Sequence, residues 1–179
     1  IGDVLKALVS GGGTVFDTAP GYGASEEVAG RVAANLTYTD KIFWATKVNV
    51  AGFGGGSADA KAARAQVDQS FARLKKPKID LIQVHNLADI PTQLGILKEA
   101  KQQGRIRYIG VTTTFDQQYS EIVDIMKREP LDFIGVDYAI DARQIEDTIL
   151  PVAQERRVAV MVYQPFGRNR LWNRVGSQP

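Results

Sequence analysis

Short apolar runs alternate with segments of helical periodicity along the chain, and this alternation limits the fold more than any other feature of the sequence. The predicted strands are residues 14–16, 42–46, 79–84, 108–111, 133–136 and 159–162. The predicted helices are residues 3–10, 25–36, 58–74, 92–103, 119–128 and 144–156, the last able to kink at Pro151, and the tail after residue 163 is expected to be irregular. Strands that are nearly continuous apolar runs and alternate with helices predict a parallel sheet covered by helices, which is an α/β fold.

The number of strands narrows the architecture to two choices, a doubly wound sheet or a (β/α)8 barrel. A complete barrel has eight strands and needs ~250 residues. The chain has 179 residues and six predicted strands, so the barrel alternative is an incomplete (β/α)8 TIM barrel of about six βα units. We expect one partial barrel domain over residues 1–179 that is cut at both ends, because the sequence begins without Met and stops in a loop-like stretch.

Composition excludes several classes of function. Without cysteine the chain forms no disulfide and no thiolate metal site, and with one histidine it forms no multi-histidine metal site, so we predict no metal. The net charge is +2 with the charges interspersed, which argues against a nucleic-acid or membrane partner. We expect a cytoplasmic protein by default, or a periplasmic one if a signal peptide precedes residue 1.

The stretch after the first predicted strand brings together groups that can perform chemistry. Asp17 follows the strand directly, where a carboxylate costs several kcal/mol unless it is paired. Tyr22 comes five residues later in a loop rich in Pro and Gly, and Ser25 is the predicted N-cap of the next helix. Enzymes with βα units carry their catalytic groups at this place. An ordinary strand-to-helix turn with a surface tyrosine explains the stretch equally well.

Polar residues also follow the other predicted strands. They are Lys47, His85, the pair Thr112 and Thr113, the pair Asp137 and Tyr138, and the pair Tyr163 and Gln164. Each has an ordinary explanation on its own, since a lysine can extend to solvent and a single histidine is often part of the core. Because the carboxyl ends of parallel strands share one edge, the set as a whole predicts an active site there.

Four segments make the chain resemble the aldo/keto reductase family. They are Phe16-Asp17-Thr18-Ala19 with Tyr22-Gly23, Ala45-Thr46-Lys47, Ile79-Asp80-Leu81-Ile82-Gln83-Val84-His85, and Gly104-Arg105-Ile106-Arg107-Tyr108-Ile109-Gly110-Val111. The resemblance implies a (β/α)8 barrel of which this chain holds family strands two to seven. It also implies reduction of aldehydes or ketones to alcohols by a nicotinamide cofactor, with a catalytic tetrad of Asp17, Tyr22, Lys47 and His85.

The chemistry of these four side chains agrees with that implication. A phenol is a poor acid at neutral pH, and a neighbouring ammonium lowers its pKa, so Lys47 is expected to make Tyr22 a usable general acid. Asp17 is expected to keep Lys47 charged and in place. His85 is expected to orient the substrate carbonyl or to share its proton.

The cofactor contacts carry over from the family less completely. Thr112 and Thr113 stand where the family often has Ser-Asn, and Gly135 stands where it often has a Gln that helps to hold the carboxamide. Tyr163 matches a family aromatic that stacks on the nicotinamide ring. Gln164 and Phe166 are assigned to the same cofactor site. NADP(H) is expected ahead of NAD(H), although the family's site for the adenosine phosphates falls mostly outside this chain.

Some interpretations stay open at this point. Four aromatic residues are either substrate walls or ordinary core and surface residues: Trp44, Phe53, Phe166 and Trp172. The Gly-rich loop of residues 50–57 is interpreted as a lid. The expected partner is a small-molecule carbonyl substrate, and the oligomeric state is left open. The alternatives to a reductase are a cofactor-binding regulatory or sensor subunit and a barrel lyase that uses Lys47 as a Schiff-base amine.

Overall fold

A computed structural model describes residues 2–36, 39–52 and 55–176 of the chain. The strands are β1 (Val15–Asp17), β2 (Phe43–Val48), β3 (Ile79–Val84), β4 (Ile106–Thr113), β5 (Phe133–Asp137) and β6 (Ala159–Tyr163). The helices are α1 (Gly2–Ser10), α2 (Ser25–Ala33), α3 (Ala60–Leu74), α4 (Ile90–Gln102), α5 (Tyr119–Arg128), α6 (Ile149–Arg156) and α7 (Arg170–Val175). The chain divides into two compact units, residues 1–109 and 110–179.

The first unit contains β1, β2 and β3 as parallel neighbours. Val15 pairs with Phe43 across β1 and β2, and Ala45 pairs with Leu81 across β2 and β3. Nearly every residue of β2 and β3 is buried, because parallel strands are covered on both faces. Aspartate side chains cap the two long helices: Asp59 accepts a hydrogen bond from Ala62 N at the start of α3, and Asp89 accepts one from Thr92 N in α4.

The second unit contains β5, β6 and the carboxyl-terminal half of β4. Thr112 of β4 pairs with Gly135 of β5, which pairs in turn with Met161 of β6, and all three strands are parallel. Ile122, Ile125 and Met126 form the buried face of α5. Their spacing of three and four residues is the amphipathic pattern that predicted this helix.

The strand order decides between the two architectures. The strands follow one another in chain order, β1-β2-β3-β4-β5-β6. A doubly wound sheet reverses its strand order at a switch point, whereas a (β/α)8 barrel keeps chain order. The fold class is therefore α/β, an incomplete (β/α)8 barrel with six of the eight strands, as the sequence predicted.

Two helical segments differ from the prediction. Residues 144–156 do not form one helix: a 3-10 turn at Gln144–Glu146 precedes α6, and Pro151 lies in the first turn of α6. The proline does not kink the helix, because a backbone N–H in the first turn has no acceptor within the helix. The tail is not irregular throughout, since α7 forms there, and the rings of Phe166 and Trp172 lie 5.6 Å apart beside it.

We expect Gly30→Ala to destabilise the protein, because α2 and α3 touch at this glycine. A Cβ at Gly30 would lie 2.1 Å from the carbonyl oxygen of Arg73 and 2.7 Å from backbone atoms of Leu74. Overpacking of this kind costs about 1–3 kcal/mol. The measurement is the free energy of unfolding in urea.

The matched control is Gly95→Ala in α4, where a Cβ meets nothing within 4 Å. This change should stabilise the protein by roughly 0.5–1 kcal/mol. Equal stabilities of the two variants would contradict the close helix contact.

Candidate active site

Lys47 and Asp17 form a close ion pair between β1 and β2. The Lys47 Nζ donates to Asp17 Oδ2 at 2.6 Å and to the carbonyl oxygen of Thr18 at 2.9 Å. The lysine is 2% exposed, so it does not extend to solvent. Both residues belong to their strands instead of following them: Asp17 is the last residue of β1, and Lys47 precedes the last residue of β2. The parallel register of β1 and β2 therefore fixes the pair.

The environment acts on the charge of Lys47 in two directions. Burial is the larger effect and lowers the pKa of the ammonium below its ordinary value, although the charge of Asp17 and its hydrogen bond act in the opposite direction. A buried ammonium next to a carboxylate is better stabilised than a buried ammonium alone. The arrangement fits the predicted role of Asp17, which is to keep Lys47 charged and in place.

Tyr22 lies in a loop built from two consecutive turns. Its backbone N–H donates to the carbonyl oxygen of Ala19, and the N–H of Ser25 donates to the carbonyl oxygen of Tyr22. The side chain is 50% exposed, so the phenol is accessible. Lys47 Nζ lies 5.2 Å from the centroid of the Tyr22 ring, and the His85 ring packs edge-on against it at a centroid distance of 5.9 Å. The structure thus brings Asp17, Tyr22, Lys47 and His85 together within the first unit.

The pKa of Tyr22 is raised in the resting protein, whereas the sequence predicted a lowered value. Partial burial is the larger cause, and the negative charge of the nearby Asp17 carboxylate is the second. Asp17 also accepts a hydrogen bond from Lys47 and so offsets its positive charge. Tyr22 therefore stays protonated at neutral pH, which is the form that a proton donor needs.

His85 directly follows β3 and is neutral at pH 7. Burial, and secondly the positive charge of Lys47, lower the pKa of the imidazole to about 4. The backbone beyond it takes left-handed conformations at three non-glycine residues, Asn86 (φ 57°), Leu87 (φ 53°) and Asp89 (φ 38°). Such conformations persist where the surrounding structure enforces them, and they are frequent at functional sites.

The single histidine makes stability depend on pH in a defined interval. In the unfolded chain His85 takes up a proton near pH 6.5, whereas the folded chain resists until about pH 4. Protons therefore favour the unfolded state as the pH falls through this interval, and stability should fall by at most about 3 kcal/mol, less what solvent screening removes. The measurement is urea unfolding from pH 7 to pH 4. His85→Gln should flatten this dependence, and a slope equal to that of the wild type would contradict the lowered pKa.

The loop after β2 is held to its neighbours by side-chain amides. Asn49 and Gln66 form a reciprocal pair: Asn49 N donates to Gln66 Oε1 at 2.8 Å, and Gln66 Nε2 donates to Asn49 O at 3.3 Å. Asn49 Nδ2 also donates to the carbonyl oxygen of His85 at 3.3 Å. A cleft of about 270 Å³ opens here and borders His85, Gly21 and Arg73. The lid interpretation is not tested, because Phe53 and Gly54 lie outside the described residues.

The residues assigned to the cofactor lie in the second unit. Thr112 and Thr113 are buried in β4, and the Thr113 hydroxyl donates to Gln118 Oε1 at 2.6 Å and accepts from Phe115 N at 3.1 Å. The Tyr163 ring lies against Gly135, where a Cβ would come within 2.3 Å of it. Gln164 directly follows β6 with a left-handed backbone (φ 52°). These positions do not test the cofactor assignments, which stay predictions.

The four aromatic residues left open as substrate walls have different surroundings. Trp44 belongs to the core: it is 3% exposed, packs on Phe16, and donates from its indole nitrogen to Thr39 O. Phe166 and Trp172 are more than half exposed and contact each other. Phe53 lies outside the described residues.

The start of α2 holds a buried residue that the sequence analysis did not single out. Ser25 is the first residue of α2 and not its N-cap; Ala24 takes that position without a side-chain hydrogen bond, and Ser25 Oγ accepts from Thr18 Oγ1 at 2.9 Å. Glu26 follows and is 1% exposed. The spacing of residues along α2 could have revealed the burial of Glu26, because Glu26 shares one helical face with Ala29, Gly30 and Ala33.

The sequence matches those of known proteins over nearly its whole length. The model of the aldo/keto reductase family matches residues 2–177. The chain belongs to the aldo/keto reductase family. It is 29% identical to Aldo-keto reductase YhdN of Bacillus subtilis (strain 168), with 98% of this chain and 55% of that protein covered. It is 28% identical to Probable aldo-keto reductase 1 of Glycine max, with 92% and 49% covered.

Solved structures of aldo-keto reductases share the fold. The glycerol dehydrogenase of Gluconobacter oxydans matches with a TM-score of 0.77 and 28% identity, covering 99% of this chain and 57% of that one. The holo form of an aldo-keto reductase from Bacillus halodurans matches with a TM-score of 0.78 and 28% identity, covering 99% and 60%. The chain thus spans about half the length of the curated relatives that it matches.

Among the described residues, no group of three or more His, Cys, Asp or Glu side chains is placed to hold a metal ion. No helix in the described ranges has the length and apolar character needed to cross a membrane.

Proposed function

We propose that this chain carries the catalytic tetrad of an aldo/keto reductase that reduces aldehydes or ketones to alcohols with NAD(P)H. One observation carries the proposal: Lys47 Nζ binds Asp17 at 2.6 Å and lies 5.2 Å from the ring centroid of Tyr22, which His85 contacts on an edge. Family membership supports the reaction class. The glycerol dehydrogenase of Gluconobacter oxydans is a related protein whose name states an alcohol oxidoreduction.

Tyr22 is the proton donor in this proposal. Burial and Asp17 raise its pKa, so the phenol is neutral in the resting protein. When a hydride reaches the carbonyl carbon, the oxygen becomes an alkoxide, which is a much stronger base than a phenolate. Proton transfer from the Tyr22 Oη is therefore downhill despite the raised pKa. Because half of the side chain is exposed, a substrate oxygen can approach it.

Lys47 stabilises the phenolate that Tyr22 becomes when it gives up its proton. The transfer leaves a phenolate, and an ammonium close to the ring stabilises that anion. Asp17 holds Lys47 in place through the 2.6 Å hydrogen bond, so the charge needs little rearrangement when the phenolate forms. The stabilisation of the phenolate by Lys47 opposes the rise in the Tyr22 pKa that burial and Asp17 cause.

His85 orients the substrate in this proposal. Its pKa of about 4 leaves the imidazole neutral at pH 7, so the ring can donate one hydrogen bond and accept another without carrying charge. A neutral donor can hold a carbonyl oxygen next to Tyr22 without competing as the acid. The edge-on contact with the Tyr22 ring keeps the two side chains adjacent.

The residues in this region fit the ring of a nicotinamide better than they fit its carboxamide group. The Tyr163 ring lies next to Gly135, where a Cβ would come within 2.3 Å of it, and a tyrosine ring is a group on which a nicotinamide can stack. The Thr113 hydroxyl donates to Gln118 and accepts from Phe115, so only its second lone pair is left to accept a hydrogen bond from the carboxamide. When bound, the cofactor supplies the hydride. We propose Tyr163, Thr112, Gln164 and Phe166 as further contacts, and NADP(H) ahead of NAD(H).

The test is a survey of carbonyl substrates with each cofactor. The purified protein is mixed with NADPH or NADH and a panel of aliphatic, aromatic and hydroxylated aldehydes and ketones. Loss of nicotinamide absorbance is measured together with the alcohol formed. We expect equal amounts of cofactor oxidised and alcohol produced, and faster turnover with NADPH. Tight cofactor binding without turnover on any substrate would favour the sensor alternative. Trapping of a carbonyl compound on Lys47 by borohydride would favour the lyase.

A further inference from the structure

Glu26 is a buried carboxylate that the proposed mechanism does not use. It accepts a hydrogen bond from Thr46 Oγ1 at 2.6 Å. Arg73 Nη1 of α3 lies 3.4 Å from its other oxygen, Oε2. At 1% exposure, such a group is destabilising unless it is paired, so both contacts stabilise Glu26 in its buried place.

The contact from Thr46 connects Glu26 to the proposed active site. Thr46 and Lys47 are consecutive residues of β2, and consecutive side chains of a strand point to opposite faces. Lys47 binds Asp17 on one face, while Thr46 binds Glu26 on the face that meets α2. The same stretch of backbone is therefore held on both sides, immediately where it presents the ammonium.

Glu26 also has a partner on α3. Gly30, one turn further along α2, brings the helix backbone against Arg73 and Leu74 of α3, where a Cβ would not fit. Arg73 is thereby kept near Glu26, although its guanidinium is partly exposed. The carboxylate thus has a fixed place in a setting of low dielectric, where its charge acts on Lys47 over a longer distance than in water.

We propose that Glu26 is a positioning residue for Lys47: through Thr46 it fixes the β2 backbone, and through its negative charge it helps to keep the lysine protonated. This rests on the proposed function insofar as Lys47 serves the reduction. Among the described residues, the charged or titratable groups around Lys47 are Asp17 from β1, Tyr22 from its loop and His85 after β3, while Glu26 of α2 acts on it from the opposite face of β2. Glu26 raises the pKa of Lys47 as Asp17 does, against the effect of burial.

Replacement of the charge without the shape separates this role from a structural one. Glu26→Gln keeps an oxygen that can accept from Thr46 and removes the charge. The ionisation of Lys47 is followed by NMR on protein labelled with ¹³C at the lysine ε-carbon, with the signal assigned by its absence in Lys47→Met. We expect the pKa of Lys47 to fall by about half a unit to one unit. The matched control is Glu27→Gln at the exposed neighbour, which should leave the Lys47 titration unchanged.

Two further variants keep the proposal testable if Glu26→Gln folds poorly. Thr46→Val removes the hydrogen bond and leaves the charge, so kcat should fall several-fold with an unchanged Lys47 pKa. Arg73→Gln removes the counter-charge of Glu26, so the Lys47 pKa should rise. A Lys47 titration that is the same in Glu26→Gln, Glu27→Gln and Arg73→Gln would overturn the proposal. The titration needs no turnover, so it stands even if the protein reduces no carbonyl, in which case the proposed function fails separately.

Discussion

Tyr22→Phe should reduce kcat/KM for carbonyl reduction about a thousandfold, within the range that a general acid contributes. The change removes one oxygen from a side chain that is half exposed, so the fold should be preserved. Binding of NADPH should be nearly unchanged, because the phenol acts on the developing alkoxide and not on the cofactor. The measurements are steady-state reduction and quenching of protein fluorescence by NADPH.

The matched control for Tyr22→Phe is Tyr138→Phe. Tyr138 also follows a strand, but its hydroxyl donates to Glu146, a contact within the second unit. The control should keep turnover within a few-fold of the wild type. Turnover of Tyr22→Phe at the level of this control would remove Tyr22 from the role of acid, whatever the family resemblance implies.

Lys47→Met should lower the rate by about a hundredfold or more and change the pH dependence as well. The ammonium that stabilises the phenolate is lost, so proton transfer from Tyr22 becomes harder. Asp17 is left without its 2.6 Å partner at a site with limited solvent access, which should also lower stability. The measurements are kcat/KM from pH 5 to pH 10 and the free energy of unfolding in urea.

The matched control for Lys47→Met is Lys61→Met, at an exposed position of α3. It removes the same charge from the surface and should affect neither rate nor pH profile. A profile of unchanged shape but reduced amplitude in Lys47→Met would show that Lys47 only positions its neighbours and does not stabilise the phenolate.

Much of the fold could be predicted because one physical pattern repeats along the chain. Buried parallel strands are mostly apolar, and helices such as α5 carry their apolar residues on one face, as Ile122, Ile125 and Met126 do. The tail was predicted less well. Six residues of α7 are too few for a periodic signal, and their position depends on tertiary contacts such as that of Arg170 with Asp141.

The proximity of the four tetrad residues could be predicted from the strand ends, but their electrostatics could not. The carboxyl ends of neighbouring parallel strands share an edge, which brings Asp17, Lys47 and His85 together. The direction of the Tyr22 pKa depends on how closely Asp17 offsets the Lys47 charge and on how much of the phenol is buried. Neither quantity can be read from residue types in a sequence.

The partners of Glu26 are a second feature that could not be predicted from the sequence. A glutamate in the first turn of a helix is normally a solvated group that favours the helix dipole, and that interpretation fits most such residues. Here the face of α2 that packs on α3 includes position 26, and the partners are Thr46 and Arg73, 20 and 47 residues away. Only the packing of the helices reveals that pairing.

In the proposed reaction, a hydride passes from a nicotinamide to a carbonyl carbon and Tyr22 donates the proton. The test is a single turnover with NADPH that carries deuterium at both C4 positions of the nicotinamide, followed by mass spectrometry of the alcohol. We expect one deuterium on the carbinol carbon with the wild-type protein and almost no product with Tyr22→Phe in the same time. Alcohol that forms without deuterium, or forms equally fast in Tyr22→Phe, would contradict it.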